Sequence, residues 1–337
     1  MAPISRTLVL GLTIAQASAF QSPATFNNPS TRALVTPSSS AYLTSAKKLT
    51  NNNNNNNPTR QTTARRMIGS ILDLLGGGKS QGMISPDKAL PGRSTKMANI
   101  SGLRHYVLGT KIEEVPEGYE EAVFANGCFW GSEKSIWRLP KGIHSTAVGY
   151  CAGYTPNPTY EEACSSMTGH TEGFRVVYNP AEISYVDILR MFWENHDPTQ
   201  YMGQGNDRGS QYRSGAYYFN DDQKRLIEAS KEAYEKALGG REIMTEVAGA
   251  TDYEKYGGFW YFAEAYHQQY LSKPGARPYC SAQPQGVSLP SFESWAPKDL
   301  QEKYKPTLPE SFWAKHGPVR GCSVVQLSNE PIPESSY

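Results

Sequence analysis

The first acidic residue of this 337-residue chain is Asp73, and the 72 residues before it carry seven of its 33 Lys and Arg residues. This leading segment is rich in Ser, Thr, Pro and Asn and includes seven consecutive asparagines, Asn51 to Asn57. Such a composition cannot bury enough apolar surface to fold, so the fold must come from the residues that follow. Those residues keep 26 basic against 32 acidic side chains, a net charge of −6, which argues against a nucleic-acid or anionic-membrane binder.

The leading segment is organised in two parts. Residues 1–20 combine the basic Arg6, a short apolar run and the small residues Ala17-Ser18-Ala19, which is the pattern of a secretory signal peptide. The run is too short to cross a membrane. Residues 21–72, without any acid, match a disordered transit peptide, and this order resembles the plastid leaders of algae with secondary plastids. We therefore expect a plastid protein with no membrane segment in its mature form; a secreted or endomembrane protein is the alternative.

Regular structure is predicted only after a Gly- and Pro-punctuated linker at residues 73–115. Strands are predicted at residues 121–125, 145–150, 174–178, 215–219 and 242–247, and helices at 129–138, 184–197, 220–238 and 263–271. This interleaving indicates a single α+β domain at residues 116–290, followed by an extension at residues 291–337.

Five cysteines, at positions 128, 151, 164, 280 and 322, are too few and too widely spread for a disulfide-built domain, and an odd number leaves at least one thiol unpaired. Cys128 lies between a predicted strand end and a predicted helix start, followed by Phe129 and Trp130. The free amides of a helix N-terminus would lower the pKa of its thiol and make it a nucleophile beside a flat apolar wall. A buried structural thiol is the other interpretation.

A second motif, Gly169-His170-Thr171-Glu172-Gly173, places a carboxylic acid just ahead of a strand. Apolar neighbours would raise the pKa of Glu172 and allow it to donate a proton. His170 is interpreted as structural because the sequence shows no partner for it. The polar stretches Asn157 to Tyr160 and Asp207 to Arg213 suit hydrogen bonding to a substrate, or are ordinary loops. The histidines show no ligand spacing with cysteines or acids, so no metal site is predicted.

Six motifs, in the same order, resemble those of the type A peptide methionine sulfoxide reductases. They are Gly127 to Gly131, Asn157 to Tyr160, Gly169 to Glu172, Phe192 to Gln200, Gly205 to Ser214 and Tyr266 to Leu271. The resemblance implies a two-layer α/β sandwich with a ferredoxin-like core and an irregular C-terminal segment. It also implies a monomeric enzyme that repairs oxidised proteins by reducing the S epimer of methionine sulfoxide, free or protein-bound, without a metal or a cofactor.

The resemblance implies a role for each site residue. Cys128 attacks the sulfoxide sulfur while Glu172 protonates the departing oxygen, and Cys128 becomes a sulfenic acid. The substrate-binding residues are Phe129, Trp130, Tyr160, Asp207 and Tyr212.

The resetting of Cys128 departs from the family pattern. A cysteine of the C-terminal segment, here Cys280, attacks the sulfenic acid, and thioredoxin then opens the disulfide. Many members carry a second cysteine eight residues later, where this chain has Ser288. Either Cys280 passes its disulfide directly to thioredoxin, or Cys322 is an auxiliary resolving residue. The other two cysteines are interpreted as structural.

Two other functions are open at this point. A papain-like hydrolase would need a histidine partner and an oxyanion hole, and its motif around the cysteine differs from this one. A secreted binding domain with the structural disulfides Cys128–Cys280 and Cys151–Cys164 would leave the motifs of Glu172, Asp207 and Tyr212 unexplained.

Overall fold

The computed structural model describes residues 82–337; the predicted signal and transit segments and the start of the predicted linker lie outside these residues. The described part has eight strands: β1 Glu120–Asn126, β2 Ile143–Cys151, β3 Thr171–Tyr178, β4 Gly203–Gln204, β5 Asp207–Arg208, β6 Ser214–Tyr218, β7 Glu246–Gly249 and β8 Trp260–Phe262. It has six α-helices: α1 Phe129–Trp137, α2 Tyr160–Cys164, α3 Tyr185–Glu194, α4 Asp221–Ala237, α5 Phe292–Trp295 and α6 Glu310–His316. Short 3-10 segments lie at Pro86–Lys88, Ser210–Tyr212, Ala250–Tyr256, Tyr270–Ser272, Lys298–Leu300, Val324–Gln326 and Glu334–Ser336. None of these helices is long and apolar enough to cross a membrane.

Six strands form one mixed sheet in the order β7-β6-β1-β3-β2-β8. All neighbours are antiparallel except β6 and β7, which are parallel. The remaining strands, β4 and β5, form a separate hairpin. The predicted α+β class is confirmed.

The two longer helices after β3 begin where their capping residues predict. Ser184 Oγ accepts a hydrogen bond from the amide of Val186 at the start of α3, and Asn220 Oδ1 accepts one from the amide of Gln223 at the start of α4. These side chains satisfy amides that have no partner within the helix. After α4, Gly239 and Gly240 take positive φ values, 75° and 77°, which ends the helix.

Successive side chains of β1 point to opposite faces of the sheet, so they pack in two separate parts of the core. Phe124 packs against Phe174 and, at 4.8 Å between ring centroids, against Phe192 of α3, so this face is covered by helices. Val123 and Ala125 point the other way and pack in a second cluster with Phe259. The sheet is therefore buried on both faces at the end of β1, where the chain turns into α1.

The described part of the predicted linker is packed on the sheet. Ile100 and Ile112 are buried against Ala147 of β2, and His105 Nε2 lies 2.9 Å from Thr146 Oγ1. Apart from the short 3-10 segment and one isolated bridge, these residues carry no regular structure, which agrees with their Gly- and Pro-rich sequence. They cover apolar surface that β2 would otherwise expose.

The C-terminal extension continues the core over α3. The carboxylate of Asp187 accepts hydrogen bonds from the amide and hydroxyl of Thr307, each at 2.8 Å. The guanidinium of Arg190 lies 4.4 Å from the ring centroid of Trp313. Phe312 is fully buried in the same cluster. The extension at residues 291–337 is thus packed on the domain and carries the two short helices α5 and α6.

Candidate active site

Cys128 lies at the junction of β1 and α1, where the sequence predicts it, and is the residue that precedes the first turn of α1. Gly127 makes the junction possible with a φ of +92°, which an L side chain rarely adopts. A Cβ atom at Gly127 would also lie 2.7 Å from Cβ of Gln204. The chain can therefore turn into α1 at this point only because position 127 is glycine.

A cavity of about 380 Å³ opens beside Cys128. Seven predicted site residues line it: Cys128, Phe129, Trp130, Tyr160, Glu172, Asp207 and Tyr212. Tyr270, Arg277 and Tyr279 line it as well, without having been assigned a role from the sequence. Its size and its mixture of aromatic walls with a few polar groups are typical of a small-molecule site.

Glu172 is the buried acid of this cavity. Its side chain is 3% exposed, and its Oε2 accepts a hydrogen bond from the amide of Phe129 at 3.1 Å. Burial raises the pKa of this carboxyl to about 8, against the opposing effect of the Phe129 amide. Glu172 is therefore protonated at neutral pH and can supply a proton to a bound substrate.

The predicted low pKa of Cys128 is wrong for the resting thiol. The residue is 8% exposed, and burial raises the pKa of the thiol well above its ordinary value. Negative charge on Glu172 or Asp207 raises it further, whereas a hydrogen bond from the backbone of Trp130 lowers it. The helix start alone does not overcome desolvation, so the free enzyme holds Cys128 as a neutral thiol.

Two phenols face the same cavity from separate elements. Tyr160 opens α2, whose start is fixed by reciprocal hydrogen bonds between Thr159 and Glu162, and Tyr212 ends the 3-10 segment Ser210–Tyr212. Burial raises the pKa of both phenols, so each remains a hydrogen-bond donor at physiological pH.

Asp207 contributes an acceptor to the cavity. Its Oδ1 accepts a hydrogen bond from the hydroxyl of Tyr279 at 2.5 Å. Its Oδ2 is buried and has no hydrogen-bond partner among residues 82–337. A buried carboxylate oxygen without a partner is costly, so this atom is suited to accept a hydrogen bond from a ligand.

The apolar wall is fixed by residues distant in sequence. The indole of Trp130 stacks on Tyr270 at 3.9 Å between ring centroids, and its Nε1 donates to Nδ1 of His267 at 3.1 Å. Glu133 of α1 accepts hydrogen bonds from the amide and the side-chain Nε2 of Gln269, at 2.9 and 2.7 Å. These contacts hold the segment that carries Tyr270 against α1.

The helix predicted at residues 263–271 is wrong, because the contacts of Gln269 with Glu133 impose a non-helical backbone. Gln269 has a φ of +47°, a left-handed conformation that no helix accommodates, and only Tyr270–Ser272 forms a 3-10 turn. Glu133 holds this conformation from another element, so local periodicity could not reveal it.

Comparison with known proteins agrees with this geometry. The sequence profile described as peptide methionine sulfoxide reductase matches residues 120–296, just over half of the chain. Peptide methionine sulfoxide reductase MsrA 1 of Synechocystis sp. is 48% identical over 217 residues, which are 63% of this chain and 93% of that protein. This chain belongs to the peptide methionine sulfoxide reductase A family. It is thus an enzyme that reduces methionine sulfoxide.

Other relatives of the reductase match over the same region. MsrA of Escherichia fergusonii is 49% identical over 212 residues, 62% of this chain and 95% of that protein. The structure of methionine sulfoxide reductase A of Corynebacterium diphtheriae superposes with a TM-score of 0.52 at 34% identity, covering 63% of this chain and all of that one.

The cysteines of the reductase are not paired as the hypothesis of a secreted binding domain predicts. Cys280 is bonded to Cys322, 42 residues later, whereas the other three cysteines are free thiols. The pairs Cys128–Cys280 and Cys151–Cys164 of the binding-domain hypothesis are therefore wrong. Cys151 is fully buried, and neither it nor Cys164 lines the cavity.

Cys280 lies close to the catalytic end of α1. A Cβ atom at Gly131 would lie 2.8 Å from Sγ of Cys280, and the next residue, Ser281, accepts a hydrogen bond from the amide of Cys128 at 3.4 Å. By contrast, His170 is buried outside the cavity, and its Nε2 lies 2.8 Å from the carbonyl oxygen of Thr155. Residues 82–337 hold no cluster of His, Cys, Asp and Glu that could bind a metal ion.

Proposed function

We propose that this reductase acts on the S epimer of methionine sulfoxide, free or within polypeptides, with Cys128 as the nucleophile and Glu172 as the proton donor. The observation that supports this most directly is that a thiol, a neutral carboxylic acid, two phenols and an indole line one cavity of about 380 Å³. Each group matches one demand of sulfoxide reduction.

The proposed chemical step moves one oxygen from the substrate to the enzyme. The sulfur of Cys128 attacks the sulfoxide sulfur, and Glu172 protonates the sulfoxide oxygen as the S–O bond breaks. The substrate sulfur gains two electrons and leaves as methionine. The protonated oxygen is transferred as a hydroxyl group to the sulfur of Cys128 while the transient bond between the two sulfurs breaks, so Cys128 becomes a sulfenic acid.

Substrate binding activates the thiol in this mechanism. Cys128 is neutral in the free enzyme because its surroundings are buried and acidic. A sulfoxide sulfur carries partial positive charge, which favours the thiolate when it is placed against the thiol. Tyr160 and Tyr212 would donate hydrogen bonds to the sulfoxide oxygen, while Oδ2 of Asp207 would accept one from the substrate amide.

The lining of the cavity provides a basis for selecting one epimer. Phe129 and Trp130 would hold the substrate methyl group, and Glu172 and the phenols would bind its oxygen. At a chiral sulfur only one epimer can meet both demands and still present its sulfur to Cys128.

With dithiothreitol as reductant, we therefore expect the full chain to reduce the S epimer at least about 100-fold faster than the R epimer. The R epimer would leave polar groups of the site without hydrogen-bond partners. The measurement is methionine formation from each pure epimer. Methionine sulfone serves as a control that should not react. Similar rates for the two epimers would contradict the proposal.

We further propose that Cys280 resolves the sulfenic acid and that thioredoxin is the final reductant, as the family resemblance implies. The thiol of Cys280 attacks the sulfur of Cys128, water leaves, and a Cys128–Cys280 disulfide forms. The contact of Cys280 with Gly131, one turn of α1 away from Cys128, supports this role. The family's ferredoxin-like core is also proposed here, supported by the chain order β1-α1-β2-β3-α3-β6 and the strand order β6-β1-β3-β2.

Plastid localisation is proposed on the sequence of the leader. A fluorescent protein fused behind residues 1–72 is expected in the plastid of an alga with a secondary plastid, because the signal-like part precedes the acid-free part. Residues 21–72 alone are the matched control and should remain in the cytosol. Secretion of the full fusion into the medium would favour the alternative.

A further inference from the structure

Among residues 82–337, the active-site cavity is lined by a single cationic side chain, that of Arg277. The acidic residues of the lining are Glu172 and Asp207. Glu172 is protonated at neutral pH, because burial raises the pKa of its carboxyl to about 8. The proposed attack by Cys128 and the proton transfer from Glu172 use no positive charge, so they leave Arg277 without a role.

The guanidinium of Arg277 is free to contact a ligand. The residue is exposed although it lines the cavity, so it lies where the cavity opens to solvent. Within the part of the chain that the structure describes, its side chain has no hydrogen-bond or ion-pair partner. By contrast, Nζ of the nearby Lys273 donates to the carbonyl oxygens of Ala265 and Tyr266, at 2.7 and 3.3 Å. The charge of Arg277 is therefore not consumed by the fold.

Aromatic residues of the cavity hold Arg277 in place. Its amide donates to the hydroxyl of Tyr270 at 3.1 Å, and its guanidinium carbon lies 5.6 Å from the ring centroid of Tyr279. The hydroxyl of Tyr279 donates in turn to Oδ1 of Asp207 at 2.5 Å. One tyrosine thus contacts the positive group of the cavity through its ring and the negative group through its hydroxyl.

Methionine sulfoxide carries a group that matches this cation. A short chain of methylene groups separates its sulfur from its α-carbon, so a substrate with its sulfur at Cys128 brings the groups on the α-carbon towards the opening of the cavity. When one of these groups is a carboxylate, a guanidinium can pair with it through two parallel hydrogen bonds. Asp207 would repel such a carboxylate, and Arg277 would offset that repulsion.

We propose that Arg277 is a specificity-determining residue that binds the α-carboxylate of methionine sulfoxide. This inference rests on the proposed function, because it requires the substrate sulfur at Cys128. The free amino acid and a C-terminal residue both carry this carboxylate, whereas a residue inside a polypeptide carries a neutral amide in its place. Arg277 therefore improves the reduction of the first two forms and has little effect on the third.

The test uses two substrates that differ only at the carboxyl group. They are the S epimers of N-acetylmethionine sulfoxide, which is a carboxylate, and of its methylamide, which is neutral. In single turnovers of the full chain, Arg277→Gln should lower the second-order rate constant for the carboxylate about two- to fivefold, as befits an exposed ion pair, and leave that for the methylamide unchanged. Arg277→Lys keeps the charge and should lose less.

Arg320→Gln is the matched control, because Arg320 is also exposed but does not line the cavity. It should match the wild type with both substrates. Added salt should weaken the preference of the wild type for the carboxylate but not alter Arg277→Gln, since salt screens exposed charges. A dipeptide ending in methionine sulfoxide and the free amino acid represent the two natural sources of the carboxylate, and both should show the loss in Arg277→Gln.

The ratio of the two rate constants does not depend on how much of a variant is folded, so it tests Arg277 even if the substitution lowers stability. An unchanged ratio in Arg277→Gln, whether both rates fall together or neither falls, overturns the inference. If the wild type reduces neither the carboxylate nor the methylamide, the proposed function itself is refuted.

Discussion

Replacement of Cys128 by serine is expected to lower methionine sulfoxide reduction about 10³-fold or more, to the level of the uncatalysed reaction. A serine hydroxyl is not ionised at neutral pH and is a much poorer nucleophile toward sulfur than a thiolate. No other described thiol can replace it, since Cys128 is the only cysteine among residues 82–337 that lines the active-site cavity. The measurement is methionine formation with dithiothreitol in a single turnover.

Cys151→Ser is unsuitable as the control because that residue is fully buried. Cys164→Ser is the better match, because the thiol is partly exposed and serine keeps a hydrogen-bonding group for Tyr160. It should retain the wild-type rate, and thermal unfolding should show that both variants are folded. Measurable turnover by the Cys128 variant would mean that another group attacks the sulfoxide, and the assignment of the nucleophile would be lost.

Replacement of Glu172 by glutamine is expected to slow the single-turnover rate by about 10²- to 10⁴-fold, because the amide keeps the shape of the side chain but cannot transfer the proton. Substrate affinity should change much less, since the cavity remains filled. Glu161→Gln, on the exposed side of α2, is the matched control and should leave the rate unchanged. Equal single-turnover rates for wild type and Glu172→Gln would refute the role of the acid.

The pH dependence of the wild type provides a further check on Glu172. Burial raises the pKa of this carboxyl to about 8, so the acid form persists through neutral pH and is lost as the pH rises through 8. The rate of the chemical step should therefore decline on the alkaline side of about pH 8. That decline should be absent from the residual activity of Glu172→Gln.

Sequence patterns predicted the elements whose signals are local. The caps at Ser184 and Asn220 and the glycine turn before Cys128 are encoded by neighbouring residues, and α3, α4 and α1 begin where they predict. Elements that depend on distant partners were missed or displaced. Strand β8 has only three residues and is defined by pairing with β2, and β7 begins at Glu246, four residues later than predicted.

The candidate site also combines features set by neighbouring residues with features set by distant ones. The residues that motifs single out do line one cavity, but the pKa of Cys128 is set by burial and by the carboxyls of Glu172 and Asp207, which a linear sequence does not place. Likewise, nothing in a separation of 42 residues indicates that Cys280 and Cys322 are bonded. The sequence suggested Cys322 only as a candidate.

The match to the family profile ends at residue 296, yet the chain beyond it packs along α1 and holds Cys322. A protein shortened after that residue would keep every side chain of the sulfoxide cavity. It would nevertheless lose Phe312 and Trp313 from the core beside α3, because the extension is part of that core. The residues that the family profile matches are therefore fewer than the residues that form the folded unit.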